Sequence, residues 1–348
     1  MSSAGSFSIR VVLGAFAAMF ALGLAAPASA QDRYAAVVID ARTNEVLLED
    51  QADEPRFPAS LTKMMTLYML FEAIERGDVT MDTRLVASRN ASRQPPSRLG
   101  LRRGDTITVE QAIRALVVQS ANDVATVVAE RLGGSEARFA ANMTARAREL
   151  GLTDTRFANA SGLPDNRHRT NARDMALLAQ AIWRDFPEHY GTFSDQNFSF
   201  RGRSVRGHNR LIGQVEGVDG IKTGYTRASG FNLATMAERN GRRVIVVVLG
   251  GETAASRDAQ VAYLVEGAYQ EYARRDGPNA ATFAGLPNRR LDVGLAPGTL
   301  TASAPPAPAA GSPYATYQGM VIETLSPVRA PLDNYGQGDL DDTTEEGE

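Results

Sequence analysis

Apolar positions recur in different rhythms along the chain's 348 residues, and the rhythm changes mark its parts. Val11 to Ala26 form one apolar run behind Arg10, closed by Pro27 and by Ala28-Ser29-Ala30. A positive start, an apolar stretch short of the roughly 20 residues a bilayer span needs and a small-x-small end predict a cleaved signal peptide over residues 1–30. Two short runs follow, Tyr34 to Asp40 and Glu45 to Glu49, split by Ala41-Arg42-Thr43-Asn44. A polar turn with an Asn suited to positive φ predicts a β-hairpin there. Leu61, Met64, Met65, Tyr68, Met69, Leu70 and Ile74 then recur at mixed three- and four-residue spacing, with Gly77 placed as a stop. That predicts an amphipathic to buried helix over 60–76.

The helical period dominates residues 78–190. Thr108-x-x-Gln111, ahead of Ile113, Leu116 and Val117, has the form of a capping box, and Asn171-x-x-Asp174 opens a helix running to about Trp183. Strands return at Val218 to Lys222, Phe231 to Ala237 and Arg243 to Leu249, and Ser256 to Tyr272 closes as a helix. Strands from both ends of the chain around a helical middle predict an α+β fold: an antiparallel sheet with a helical insertion beside it and a cleft between them. From residue 276 to 348 the chain is rich in Pro, Ala, Gly and Thr and ends acidic, a composition that predicts a mostly disordered tail in which only Tyr314 to Leu325 is strand-like.

Composition narrows the classes. Hydrophobic residues at 43% and charged residues at 22% suit one sizeable core. With 37 Lys+Arg against 40 Asp+Glu the net charge is -3, which gives no general attraction to nucleic acid or anionic lipid. No cysteine is present, so disulfides, thiolate metal sites and a lipid-modified cysteine are excluded.

Three short patterns carry candidate chemistry, in the order Ser60-Leu61-Thr62-Lys63, Ser120-Ala121-Asn122 and Lys222-Thr223-Gly224. A serine hydroxyl is a poor nucleophile until a base takes its proton, and a lysine three residues on at a helix start lies on the same face. The helix N-terminus adds unpaired N–H groups that suit an oxyanion. Lys63 must be neutral part of the time to act as that base, and a second cation such as Lys222 favours the neutral form. Ser120 and Asn122 bring a hydroxyl and a carboxamide. Gly224, at the end of one predicted strand, lets a substrate backbone lie close to the strand edge. Singly each pattern is weak, since Ser60 alone reads as a helix cap and Lys63 as a solvated residue. The ordered set behind a signal peptide is the signature of β-lactamases and penicillin-binding proteins.

The stretches Phe57-Pro-Ala-Ser-Leu-Thr-Lys-Met-Met-Thr66 and Gly217-Val-Asp-Gly-Ile-Lys-Thr-Gly-Tyr-Thr226 make the resemblance specific, with Gln119-Ser-Ala-Asn-Asp123, Ala160-Ser-Gly-Leu-Pro164 and Gly230-Phe-Asn-Leu233 beside them. Over residues 32–275 the chain resembles the serine D-alanyl-D-alanine carboxypeptidases, the low-molecular-mass penicillin-binding proteins. The resemblance implies a five-stranded antiparallel sheet flanked by helices with a helical subdomain, and a catalytic domain over residues 31–275. It implies that Ser60 is acylated by the D-Ala-D-Ala end of a peptidoglycan stem peptide and that β-lactams inhibit by the same route. Lys63 is then the base, Ser120 and Lys222 the proton relay, Asn122, Thr223, Gly224 and Tyr225 the substrate contacts, and Arg257 the aid to recognising the terminal carboxylate. The amides of Ser60 and Tyr225 make the oxyanion hole. Several relatives carry His where Tyr225 stands. No cofactor and no metal are called for, a periplasmic location is expected, and no clear membrane anchor is visible.

Rival readings are weaker. His168, His189 and His208 offer a triad in principle but stand in no nucleophile-elbow pattern. Gly217 to Thr223 lacks the Gly before Lys that a phosphate loop requires. A β-lactamase would need a Glu to activate the deacylating water, and residues 150–175 contain none. A DD-endopeptidase would use the same acyl-enzyme, whereas a non-catalytic cell-wall binding module would retain the groove without needing the Ser60/Lys63 pair.

Overall fold

The computed structural model describes residues 33–276, so the expected signal segment and the tail from residue 277, with its strand-like Tyr314 to Leu325, lie outside the described residues. Ala35–Asp40 (β1) and Val46–Asp50 (β2) form the expected hairpin, with Asn44 at φ 62° in its turn. A 3₁₀ turn, Ala59–Leu61, leads into Thr62–Glu75 (α1). This helix is apolar almost all round: Met64, Met65, Leu67, Leu70 and Phe71 are fully buried, as befits a helix at the centre of a core. Arg84–Val86 (β3) and Thr106–Thr108 (β4) pair as a small ribbon. Val109–Arg114 (α2) starts at the expected capping box, where Gln111 N donates to Thr108 Oγ1 at 3.2 Å and Thr108 N donates to Gln111 Oε1 at 3.1 Å. It continues as a π-helical turn, Ala115–Gln119, before Asn122–Gly133 (α3) and Glu136–Glu149 (α4). Asn171 caps Ala172–Asp185 (α5) through its side chain, and Pro187–Tyr190 (α6) is a single turn.

After a second ribbon, Asn197–Phe200 (β5) and Arg203–Arg206 (β6), the chain returns to the sheet with Val218–Thr226 (β7), Gly230–Arg239 (β8) and Arg242–Gly251 (β9), and the described part ends in Ala254–Asp276 (α7). The five strands run in the order β2-β1-β9-β8-β7, each antiparallel to its neighbours. Both ends of the chain therefore build one sheet, as the pattern of strands and helices implied. β9 is buried on both faces, which explains its unbroken apolar run. Ile245, Val247 and Leu249 join the cluster containing Leu178 and Ile182 of α5, while Val244, Val246 and Val248 alternate to the other face. The outer helix α7 lies against β8 and β9 and is tied down by Tyr272 Oη, which donates to Asp40 Oδ2 at 2.6 Å. No helix among the described residues is long and apolar enough to cross a membrane.

Two expectations need correction. β7 runs on to Thr226, so Lys222-Thr223-Gly224 lies inside the strand and not at its end. Thr223-Gly-Tyr-Thr226 has no apolar rhythm to announce a strand; pairing of Gly224, Tyr225 and Thr226 with Asn232, Phe231 and Gly230 of β8 imposes it. The stretch 78–190 is also less uniformly helical than its period suggested, because β3 and β4, three residues each, are too short to show alternation.

Between those ribbon strands, residues 94–101 cross to the start of α3, where the Asp123 carboxylate accepts from the amides of Leu99 (3.0 Å), Gly100 (2.9 Å) and Leu101 (3.0 Å). A single carboxylate thus organises an irregular segment whose amides have no strand or helix partner. Asp123→Ala is expected to lower the unfolding free energy by about 2–4 kcal/mol in urea titration, since each orphaned amide costs about 1–3 kcal/mol in proportion to its burial.

Candidate active site

Ser60 sits in the middle of the 3₁₀ turn that enters α1, and no side-chain cap is made there, so the cap role open to it in the sequence is not the one it plays. Ala59 before it has φ 48°, an unusual conformation for a residue with a Cβ. Gly162 is the reason a close neighbour fits at this point. A Cβ on Gly162, itself at φ 86°, would lie 1.8 Å from the Ala59 carbonyl oxygen. From the other side Gly224 of β7 comes so near that a Cβ there would meet Ser60 N and Leu61 Cδ1 at 3.0 Å. Two glycines therefore clamp the serine turn between the 160s loop and the sheet.

In the first turn of α1, Lys63 is 0% exposed. Its Nζ lies 3.3 Å from Ser60 Oγ and donates to Asn122 Oδ1 at 2.8 Å and to the Ser161 carbonyl at 2.7 Å. Burial, reinforced by the positive charge of Lys222 and opposed by Asp123, holds this amine well below the ordinary lysine value of 10.5. A neutral amine beside a hydroxyl is a base with a proton to take. The Asn122 amide is itself oriented, Nδ2 donating to the Pro95 carbonyl at 2.9 Å. Ser120, between the π-helical turn and α3, takes the left-handed conformation at φ 59°. Its Oγ is buried and has no hydrogen-bond partner among the described residues, a costly state for a hydroxyl and a common one where a substrate completes the bonding.

The third pattern enters from β7, an edge strand of the sheet. Lys222 is 2% exposed, its Nζ donating to the Thr223 carbonyl at 2.9 Å, and burial together with the charge of Arg257 pushes it down to about 7. Thr223 is buried beside it, while Tyr225 is 54% exposed and stacks on Phe231 with ring centroids 4.2 Å apart. Arg257, in the first turn of α7, is 4% exposed; its guanidinium donates to Asp258 Oδ1 at 2.7 Å and to the Asn232 carbonyl. It is thus a buried, braced cation whose field reaches Lys222.

Several contributors had only a weak signal in the sequence. Ser161 acts through its carbonyl, which any residue could supply; the visible clue is Asn159, whose Oδ1 accepts from the amides of Ser161 (3.1 Å) and Gly162 (2.7 Å) and so shapes the loop. Asn232 is a polar residue inside an apolar strand. Fully buried, it donates to the carbonyls of Phe57 (2.9 Å) and Pro58 (3.1 Å) and accepts from Gly250 N (2.9 Å), tying β8 and β9 to the entry of the serine turn. His168 is bonded to Thr62 Oγ1 at 2.9 Å and is pushed down to about 4 by burial, while His189 faces Glu75 at 3.2 Å and stacks on Phe71. No hydrogen bond joins either ring to Ser60 among the described residues.

A five-stranded antiparallel sheet backing a buried central helix, with a Ser/Lys pair at that helix's start and a Lys-Thr-Gly edge strand opposite, defines a protein of the penicillin-binding class. Within that class the chain belongs to the D-alanyl-D-alanine carboxypeptidase family, whose model matches residues 24–253. It is similar to the D-alanyl-D-alanine carboxypeptidases DacF of Bacillus subtilis, 34% identical over 70% of this chain and 64% of that one, and DacA of Escherichia coli, 36% identical over 64% and 57%. The match thus spans less than two thirds of either relative's own length. Among solved structures it resembles the ampicillin-bound penicillin-binding protein D2 of Listeria monocytogenes, with 32% identity and a TM-score of 0.61 over 67% of this chain and 97% of that one.

The clamp on Ser60 can be tested without touching any reacting group. Gly162→Ala is expected to lower Tm by about 5 °C or more, because the added carbon meets backbone and the positive φ disfavours it. Any folded fraction is expected to be acylated by a labelled penicillin roughly tenfold more slowly, since the serine turn must shift to admit the methyl group.

Proposed function

We propose that the chain is a serine D-alanyl-D-alanine carboxypeptidase that removes the terminal D-alanine from peptidoglycan stem pentapeptides. The observation that carries this reading is the fully buried Lys63 amine, depressed toward neutrality and 3.3 Å from Ser60 Oγ. Neutral Lys63 takes the hydroxyl proton as Ser60 Oγ attacks the carbonyl carbon of the penultimate D-alanine. The amides of Ser60 and Tyr225 receive the oxyanion. Ser120 and Lys222 serve as the relay that returns this proton from Lys63 to the departing amine. The C–N bond breaks, D-alanine leaves, and an ester remains on Ser60 until water hydrolyses it.

The substrate is held as an added strand on the edge of β7, with Gly224 leaving room for its backbone, Asn122 and Thr223 hydrogen-bonding to it and Tyr225 covering it. Lys222 and Arg257 supply the positive field for the terminal carboxylate. A β-lactam presents a strained amide with a carboxylate in the same relation and acylates Ser60 in the same way. Residues 31–275 form the catalytic domain, and the chain, cleaved after residue 30, works in the periplasm.

Incubation with a stem pentapeptide and with a cross-linked dimer, products weighed by mass spectrometry, tests the reading. D-Alanine release from the pentapeptide is the expected result; cleavage of the dimer alone would replace the reading with an endopeptidase. Ser60→Ala is expected to lose penicillin labelling and D-alanine release by about 1,000-fold or more with an unchanged melting temperature. Turnover at the wild-type rate in that variant would sink the mechanism.

The pH dependence follows from the lysine pair. Acylation needs Lys63 without its proton, so the rate is expected to rise with pH to a plateau whose midpoint lies well below 10.5. Lys222→Gln removes the like charge that favours neutral Lys63, so the midpoint in that variant should move to higher pH; a midpoint that stays put or falls would contradict the assignment.

A further inference from the structure

Residues 84–104 contain six arginines, Arg84, Arg89, Arg93, Arg98, Arg102 and Arg103, and no Asp or Glu. All six are exposed. In a chain whose net charge is -3, cations have been gathered here without the opposite sign that a solvated face ordinarily intersperses. Arg84 donates to Thr106 Oγ1 at 3.1 Å and Arg98 to the Gln94 carbonyl at 3.2 Å, but none of the six forms an ion pair with a carboxylate among the described residues. The flanking Asp105 is taken by Arg201 at 2.8 Å, and Glu130 and Glu136 are hydrogen-bonded to the Ser88 and Asn90 side chains.

The Arg201 bridge brings in a second basic stretch. Residues 196–215 likewise lack Asp and Glu, and Arg201, Arg203 and Arg206 of the β5–β6 ribbon are exposed. An open groove of about 630 Å³ runs through the first stretch, lined by Val86, Ala87, Ser88, Arg89, Arg103 and Gly104. Both stretches border the candidate active site. The first is fastened to its second motif: Asn122 N donates to the Ser97 carbonyl at 2.7 Å, Asn122 Nδ2 to the Pro95 carbonyl at 2.9 Å, and Gln119 Nε2 to the Arg98 carbonyl at 2.7 Å. The second reaches its third motif, because Gly207, His208 and Asn209 share the lining of a small cavity with Thr223.

We propose that this arginine surface docks the peptidoglycan polymer itself, by engaging the carboxylates of stem peptides next to the one held in the cleft. The inference rests on the proposed carboxypeptidase reading, in which every uncleaved stem ends in a free carboxylate, so that a strand bearing many stems is a polyanion. Guanidinium groups suit carboxylates because their planar fork donates two parallel hydrogen bonds. Spread over a surface, such charges raise local substrate concentration and act through a field that salt screens. The surface distinguishes polymer from a single soluble stem, which occupies the cleft alone.

The test compares the full wild-type chain with the charge-reversal variant R89E/R93E/R103E/R203E, whose four positions are exposed and touch no group of the proposed mechanism. The KM for D-alanine release from polymeric peptidoglycan is expected to rise roughly tenfold in the variant. Release from a soluble pentapeptide and labelling by penicillin should stay at wild-type values, which also reports that the variant is folded. Wild-type preference for polymer should shrink between about 0.02 M and 0.3 M NaCl. A variant with unchanged KM for polymer would overturn the proposal. So would wild-type protein that sediments with phosphatidylglycerol vesicles more strongly than with insoluble peptidoglycan, which would reassign the surface to lipid. Sedimentation of Ser60→Ala protein with insoluble peptidoglycan reads docking without turnover; if the wild type releases no D-alanine from the pentapeptide, the functional reading fails while this measurement still decides the docking surface.

Discussion

An amine cannot be taken out of water cheaply. An unpaired ammonium in a protein interior costs several kcal/mol, and the cost falls when the group gives up its proton and finds hydrogen-bond partners. Lys63 lies at that point. It is fully buried under the sheet, its three neighbours are a carbonyl, a carboxamide and a hydroxyl rather than a carboxylate, and a second lysine faces the same site. A carboxylate partner in contact would have restored the charge and removed the base. Asp123 is close enough to be felt by Lys63, but its oxygens are engaged by the backbone amides of residues 99–101.

The surrounding architecture serves that burial. Each of the three groups around Lys63 comes from a different segment: the 3₁₀ turn before α1, the start of α3 and the loop around residue 161. Each is then fixed by a device of its own. Gly162 and Gly224 allow backbone to close on the serine turn, Pro95 and Ser97 hold Asn122, and Asn159 shapes the loop that offers the Ser161 carbonyl. Behind them Asn232 fastens the serine turn to β8 and β9. Precision of this kind is what preorganised acyl transfer requires, because the groups must already face the reacting atoms before substrate arrives.

The left-handed backbone at Ala59 and Ser120 belongs to the same design. Both residues carry a Cβ and both lie at the site, where local strain is tolerated because the packing around it leaves no alternative. The π-helical turn of residues 115–119 ends at Ser120, offsetting the chain before α3 begins.

Much of the scaffold could be read from the chain. The hairpin of β1 and β2, the buried helix α1, the Thr108 and Asn171 caps and the long apolar strand β9 all follow from local rules, because spacing, turn residues and capping act over a few positions. The three motifs were visible for a related reason: reactive side chains at fixed spacing leave a trace in the sequence. Three things were decided only by tertiary contact. The extension of β7 to Thr226 needed pairing with β8; the contribution of Ser161 is a carbonyl that no side chain announces; and the depression of Lys63 comes from burial and the charge of Lys222, 159 positions away, as that of Lys222 comes from burial and the charge of Arg257. The sequence by itself determined which groups are present and which local elements carry them. Only the tertiary structure decided which of those groups lose water and meet, because desolvation and charge coupling depend on distance in space and not along the chain.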